Sequence, residues 1–301
     1  MKLATTTGDF SMYLDSQEEA IKHIRTAGFK YIDYSFGMDF NKKIGIAGEN
    51  PQEYLKRIKS LADEIGVKFV QSHAPMGKPL LKNENYDSFI EANKKSIEAC
   101  AVLGIKNIVV HSGYRNGLTK EETYMENKEF YNKLLPTAEK YEVNILTENY
   151  DKMCSANTFW TDNATYVREM IDYVDHPLFH CCWDVGHANL QPMSQIDELK
   201  ILGKDVYAVH IQDNYGNDDH HTAPFFGTMN LDEIMHGLNE IGFNGYFTFE
   251  ADGMFCPLWR KKTFDQDKKL FVAPIEIKDK AERLLYDIGK HILTSYDCFE
   301  E

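Results

Sequence analysis

Gly104-Ile105-Lys106-Asn107-Ile108-Val109-Val110-His111-Ser112-Gly113 reads as a helix end, a short step, an apolar strand and an abrupt polar run. Gly suits the left-handed position that closes a helix, because it has no Cβ to clash there. The same order recurs elsewhere in the chain. Gly28-Phe29-Lys30 leads into Tyr31-Ile32-Asp33-Tyr34, Gly66-Val67-Lys68 into Phe69-Val70-Gln71, and Gly242-Phe243-Asn244 into Tyr246-Phe247-Thr248-Phe249. Upstream of these glycines the apolar residues keep a helical period: Ala20, Ile24 and Ala27; Tyr54, Ile58, Leu61 and Ile65; Leu231, Ile234, Leu238 and Ile241. Ser16 with Glu19, Thr119 with Glu122 and Asn230 with Glu233 have capping-box spacing, and Asn50-Pro51 sets a cap before a first-turn proline.

Strands are predicted at about 2–6, 30–35, 67–73, 107–111, 143–149, 179–185, 206–212 and 245–250, with helical patterns between most of them. Strands that alternate with helices imply right-handed crossovers and a parallel sheet. Eight such units point to an α/β fold of the (β/α)8 TIM barrel type, while periodicity alone leaves a doubly wound open sheet available. The 301 residues contain no low-complexity tract or Pro/Gly/Ser linker, so one domain over 1–301 is expected.

The apolar fraction of 43% and charged fraction of 27% are ordinary for a globular protein. No apolar run approaches the ~20 residues that cross a bilayer, so no membrane partner is expected. Met1-Lys2-Leu3-Ala4-Thr5 is strand-like and lacks a secretory apolar stretch, which predicts a cytoplasmic protein. Cys100, Cys154, Cys181, Cys182, Cys256 and Cys298 are scattered without a C-x-x-C pair and read as core thiols. The net charge of −14 repels phosphate backbones, so no nucleic acid is expected as a partner.

Ligands of parallel α/β folds bind at the carboxyl ends of the strands. Here those ends carry His73, His111, Glu148, Asp184 with His187, His210 with Asp213, and Glu250. Each alone reads more readily as a hydrogen-bonded structural residue than as a ligand. Ring closure brings them to one mouth, where carboxylates and imidazoles would repel or go unpaired without a compensating cation. Mixed oxygen and nitrogen donors suit Mn²⁺, Zn²⁺, Co²⁺ or Fe²⁺ better than Ca²⁺, and the lack of a thiolate argues against a structural zinc knot.

On these residues the whole chain resembles the xylose isomerase-like barrel superfamily, in its sugar phosphate isomerase/epimerase branch. The specific part is Glu148, Asp184-Val185-Gly186-His187 with Asn189, His210 with Asp213-Asn214, and Glu250. The resemblance implies that Glu148, Asp184, His210 and Glu250 hold one divalent metal, that Glu148 and Glu250 are also the catalytic acid and base, and that His187 contacts substrate. The implied partner is a ketose or sugar phosphate, isomerised or epimerised by proton transfer through an enediolate. His73, His111 and Arg115 are further substrate-binding candidates, with a solvated loop cation the plain alternative for Arg115.

A second branch, the endonuclease IV type of apurinic-site nuclease, uses three zinc ions and adds His and Asp-x-His ligands. His73, His111 and Asp219-His220-His221 supply those types, so Asp219 and His221 are candidates for a second metal or for substrate. The negative charge and the lack of a basic, aromatic-interleaved loop speak against that branch. Tyr215-Gly216-Asn217-Asp218-Asp219 lacks the Arg usual after the seventh-strand His in tagatose-type epimerases, which keeps isomerases and inosose-type dehydratases open. A non-catalytic sugar-binding barrel is the further alternative. The resemblance also implies a homo-oligomer, because family members often form dimers or tetramers. Residues 254–275, with Trp259, Arg260, Lys261 and Lys262, are expected to form a lid or a subunit contact. Phe36-Gly37-Met38-Asp39-Phe40 is expected as an apolar wall beside a sugar.

Overall fold

The glycines placed at helix ends by the sequence do end helices. Gly66 and Gly104 close Pro51–Ile65 and Tyr86–Leu103 in the left-handed conformation, at φ of 72° and 77°. Gly28 closes Gln17–Ala27 at φ 121°, a region still more exclusive to glycine. At the helix starts, only Thr119 and Glu122 among the three expected pairs form the reciprocal capping box. Ser16 and Asn230 accept from the backbone N–H of Glu19 and Glu233, but Glu233 turns its carboxylate to the N–H of Gln195 instead. Asn50 makes no side-chain cap, and Pro51 alone marks that start.

The computed structural model describes residues 1–151, 161–255 and 273–301. Its strands are β1 Lys2–Thr6, β2 Tyr31–Ser35, β3 Lys68–His73, β4 Asn107–Val109, β5 Asn144–Glu148, β6 Phe179–Asp184, β7 Val206–Ile211 and β8 Tyr246–Phe249. They pair in parallel and in sequence order, and β1 returns to β8 through Lys2↔Tyr246 to Thr5↔Phe249. The closure selects the (β/α)8 barrel over the open sheet.

Side chains alternate along the strands, apart from irregularities where β2 pairs β3 and β6 pairs β7, and this separates two apolar layers. The large core between strands and surrounding helices includes Ile32, Phe69, Ile108, Ile145, Trp183, Val209 and Phe247. A separate small cluster holds Val109, Leu146, Cys182 and Ala208. Two residues further along β5, β6 and β7, on the same face as that cluster, come Glu148, Asp184 and His210. The small cluster is thus the floor beneath the polar mouth.

Cys100, Cys181 and Cys182 are buried and free, as core thiols should be, while Cys154 and Cys256 lie outside the described residues. So does most of the expected lid, including Trp259, Arg260, Lys261 and Lys262. The expected apolar wall is instead a helix, Phe36–Lys42, whose Phe36 and Met38 are drawn into the core. No described helix is long and apolar enough to cross a membrane.

Candidate functional site

β5 ends in Glu148, whose carboxylate is buried and meets imidazoles on several sides. His210 Nδ1 lies 2.8 Å from Oε1, and His111 Nε2 lies 2.8 Å from Oε2. His73 Nε2 stands farther off, 3.8 Å from Glu148 Oε2 and 3.6 Å from Glu250 Oε1. Burial disfavours charge on Glu148, yet His210, His111 and His73 outweigh it and hold the carboxyl well below the usual range. Burial likewise works against a charged His73, but Asp33 and Glu250 raise it to about 10.

Three donor groups emerge among the described residues. His73, Glu148, His210 and Glu250 form one; Glu148, Asp184 and His187 a second; His187, Asp219 and His221 a third. Glu148 and His187 each belong to two. Asp184 therefore stands beside the four-donor group rather than within it. Its Oδ1 accepts from the His187 backbone N–H at 2.6 Å and from Gln212 Nε2 at 3.1 Å. Burial first, and Glu148 among its neighbours, raise Asp184 to about 6 despite His187.

The third group is held from outside by the backbone. His187 Nδ1 donates to Asn149 O at 2.8 Å and His221 Nδ1 to Glu250 O at 3.1 Å. Their Nε2 atoms face the same Asp219 Oδ2, at 3.3 and 3.0 Å. Fixing one ring nitrogen on a carbonyl and presenting the other is how proteins orient ligating histidines. Gln212 Nε2 also reaches Asp219 Oδ1 at 2.9 Å and so links the second group to the third. It passes so close to Gly186 that a Cβ there would lie 2.0 Å from the Gln212 carboxamide carbon.

The donor chemistry fits a divalent cation. Asp184 Oδ2 and His73 Nε2 are buried polar atoms without a hydrogen-bond partner, and both belong to donor groups. A buried acceptor left unpaired costs ~1–3 kcal/mol, and coordination would satisfy it. The donors are carboxylate oxygens and imidazole nitrogens, a set suited to first-row transition metals.

Glu148, Asp184, His187, His210, Glu250, His73, Asp219 and His221 lie in the donor groups, and His111 adjoins them through Glu148. Arg115 pairs with Glu126 on the helix Lys120–Tyr131. Asp213 spends its carboxylate on the backbone N–H groups of Asn214, Gly227 and Met229 and orders the loop after β7. Asp33, Gln71 and Tyr150 also reach the histidines of the mouth, and the strand-end pattern does not point to them. Tyr150 OH lies 2.7 Å from His111 Nδ1, and its ring stacks on His187 at 5.3 Å and 14°. The available signal for Asp33 was a carboxylate in the otherwise apolar Ile32-Asp33-Tyr34 run.

A family model described as xylose isomerase-like TIM barrel matches residues 21–269. The inosose isomerase of Bacillus velezensis is 29% identical over 240 residues, covering 72% of this chain and 79% of its own length. Two crystal structures share the fold at lower identity. A D-tagatose 3-epimerase-like protein is 21% identical with a TM-score of 0.67, covering 96% of this chain and 100% of its own. The IOLI protein, described with a binding zinc atom, is 18% identical with a TM-score of 0.75, covering 98% of this chain and 99% of its own.

Proposed function

Since the chain belongs to the xylose isomerase-like TIM barrel family, we propose that it is a divalent-metal-dependent isomerase or epimerase of a ketose or sugar phosphate. The observation that carries the reading is the convergence of Glu148 and Glu250, from the ends of β5 and β8, on the same two imidazoles. His210 Nδ1 is 2.8 Å from Glu148 and 3.7 Å from Glu250, and His73 Nε2 is 3.8 and 3.6 Å from them. The inosose isomerase relative and the epimerase-like fold neighbour support the substrate class.

The metal would be held by Glu148, His210 and Glu250, with His73 from the same donor group and Asp184, whose own group shares Glu148 with it, as further donors. When bound it supplies Lewis acidity, drawing electrons from a substrate carbonyl and adjacent hydroxyl so that the neighbouring C–H proton leaves at lower cost. Glu148 and Glu250 act as the acid–base pair, one carboxylate taking the proton and the other returning one. His187, anchored through Nδ1, presents Nε2 to a substrate hydroxyl. The small apolar floor of Val109, Leu146, Cys182 and Ala208 keeps water from reaching the pair from below.

The three overlapping donor groups favour a second reading, a multi-zinc hydrolase of the endonuclease IV type in which Asp219, His221 and His111 are also ligands. The net charge of −14 weighs against a nucleic-acid substrate. Mass spectrometry of protein purified without chelator separates the two. One metal per chain, reduced by Glu148→Gln, with turnover on ketoses supports the isomerase or epimerase; two or three zinc ions with abasic-DNA cleavage support the hydrolase. Absence of any metal rejects both.

A further inference from the structure

β2 sends one carboxylate into the barrel interior. Asp33 is fully buried and pairs in register with Gln71 on β3. Its Oδ2 accepts from Gln71 Nε2 at 2.8 Å and faces His73 Nδ1 at 3.2 Å, with Oδ1 at 3.4 Å from the same nitrogen. An ionised carboxylate only accepts, so the hydrogen of this contact sits on Nδ1. That leaves Nε2 as the second, variable nitrogen, and it is the buried atom without a hydrogen-bond partner between Glu148 and Glu250.

The same carboxylate serves the neighbouring ring. His210 Nε2 lies 3.7 Å from Asp33 Oδ2 and 3.0 Å from Gln71 Nε2, while its Nδ1 faces Glu148. Thr248 Oγ1 donates to Gln71 Oε1 at 3.2 Å and fixes which way that amide points. The two imidazoles stack at 4.5 Å and 24°, so a support that sets one plane constrains the other.

We propose that Asp33 is the positioning carboxylate of this site, keeping hydrogen on His73 Nδ1 and, through Gln71, setting the planes of His73 and His210 so that both rings aim a nitrogen at the Glu148–Glu250 pair. Asp33 touches neither substrate nor metal; it acts through the imidazoles. Its effect on metal affinity rests on the metal-dependent reading above, whereas its hold on His73 does not. Outer-shell partners of ligating histidines typically affect metal affinity by about 10–100-fold.

The test measures Zn²⁺ affinity by chelator competition in wild type, Asp33→Leu and Asp33→Asn, each alone and in a His73→Ala background. The expected result is a 10–100-fold weaker Kd for Asp33→Leu, which has no acceptor, and a smaller loss for Asp33→Asn, which keeps one. The penalty should shrink in the His73→Ala background, because its route is then partly removed. An unchanged Kd in the folded Asp33 variants, or an undiminished penalty without His73, overturns the proposal. If Asp33→Leu fails to fold, the Asp33→Asn cycle decides.

Imidazole ¹⁵N–¹H spectra of the metal-free protein give a readout independent of metal. A hydrogen-bonded Nδ1–H signal from His73 in wild type, weakened in Asp33→Asn, upholds the assignment, and a signal indifferent to residue 33 sinks it. Should wild type bind no Zn²⁺, the metal-dependent function falls and this spectrum alone judges Asp33.

Discussion

At Glu148 burial and neighbouring charge pull in opposite directions, and the imidazoles win. A carboxylate kept ionised in a buried mouth is available both to bind a cation and to accept a proton. Glu250, just beyond the end of β8, retains 21% side-chain exposure and faces the same His73 and His210 nitrogens as Glu148. Substituting Glu148→Gln or Glu250→Gln replaces a carboxylate by an amide of the same shape that cannot take up the proton the proposed reaction moves. Either change is expected to lower kcat by about 10²–10⁴-fold in steady-state assays on the cognate sugar. A variant with wild-type kcat would remove that residue from the acid–base pair. Most of these side chains were legible in the sequence because each follows an apolar strand. Asp33 and Gln71 were not, since they sit within strands and only the barrel's inward register shows that they face His73 and His210.

At the scale of elements, the helices that brace the strands are set by small residues at crossing points. Leu231–Glu240 packs on Gln195–Leu202, and Gly237 lies at the crossing. A Cβ there would fall 2.6 Å from Leu199 Cδ1 and 3.2 Å from the Ile196 Cα. Alanine would favour the helical backbone by roughly 0.5–1 kcal/mol but overpack the crossing by about 1–3 kcal/mol. Gly237→Ala is therefore expected to lower stability by about 1 kcal/mol in urea unfolding while leaving turnover per folded molecule unchanged. An increase in stability would show that the two helices can separate at little cost. The helix periods, the positive-φ glycines and the strand positions were readable because they depend on local sequence. Two of the three capping boxes proved incomplete, and for Asn230 the reason is tertiary: Glu233 accepts from the N–H of Gln195 on another helix.

Across the whole molecule, the converging mouth is expected to make stability depend on pH and, under the proposed function, on metal. In the metal-free protein burial opposes charge on His73 and His187, but their acidic neighbours raise both to about 10, against ~6.5 for an unfolded histidine. A raised value means that the folded state binds the proton more tightly. The stabilisation is full below pH ~6.5 and is lost as pH rises through about 10. Calorimetry of chelator-treated protein should show Tm falling across that window. The zinc-loaded protein should resist the fall, because coordinated imidazoles are neutral and metal binding displaces their protons. A metal-free Tm that climbs over the same range would contradict the charge balance assigned to the mouth. The sequence by itself determined eight strands alternating with helices, their order and the residues that stand at the strand ends, because periodicity, helix-closing glycines and strand length are local properties. Closure into the (β/α)8 barrel was decided by the pairing of β1 with β8. Only the tertiary structure decided which of those residues meet: that His73 joins Glu148, His210 and Glu250, that Asp184 stands with His187 beside them, and that Arg115 pairs with Glu126. The physical reason is that ring closure and inward register set distances between strands far apart in sequence, and no local pattern encodes them.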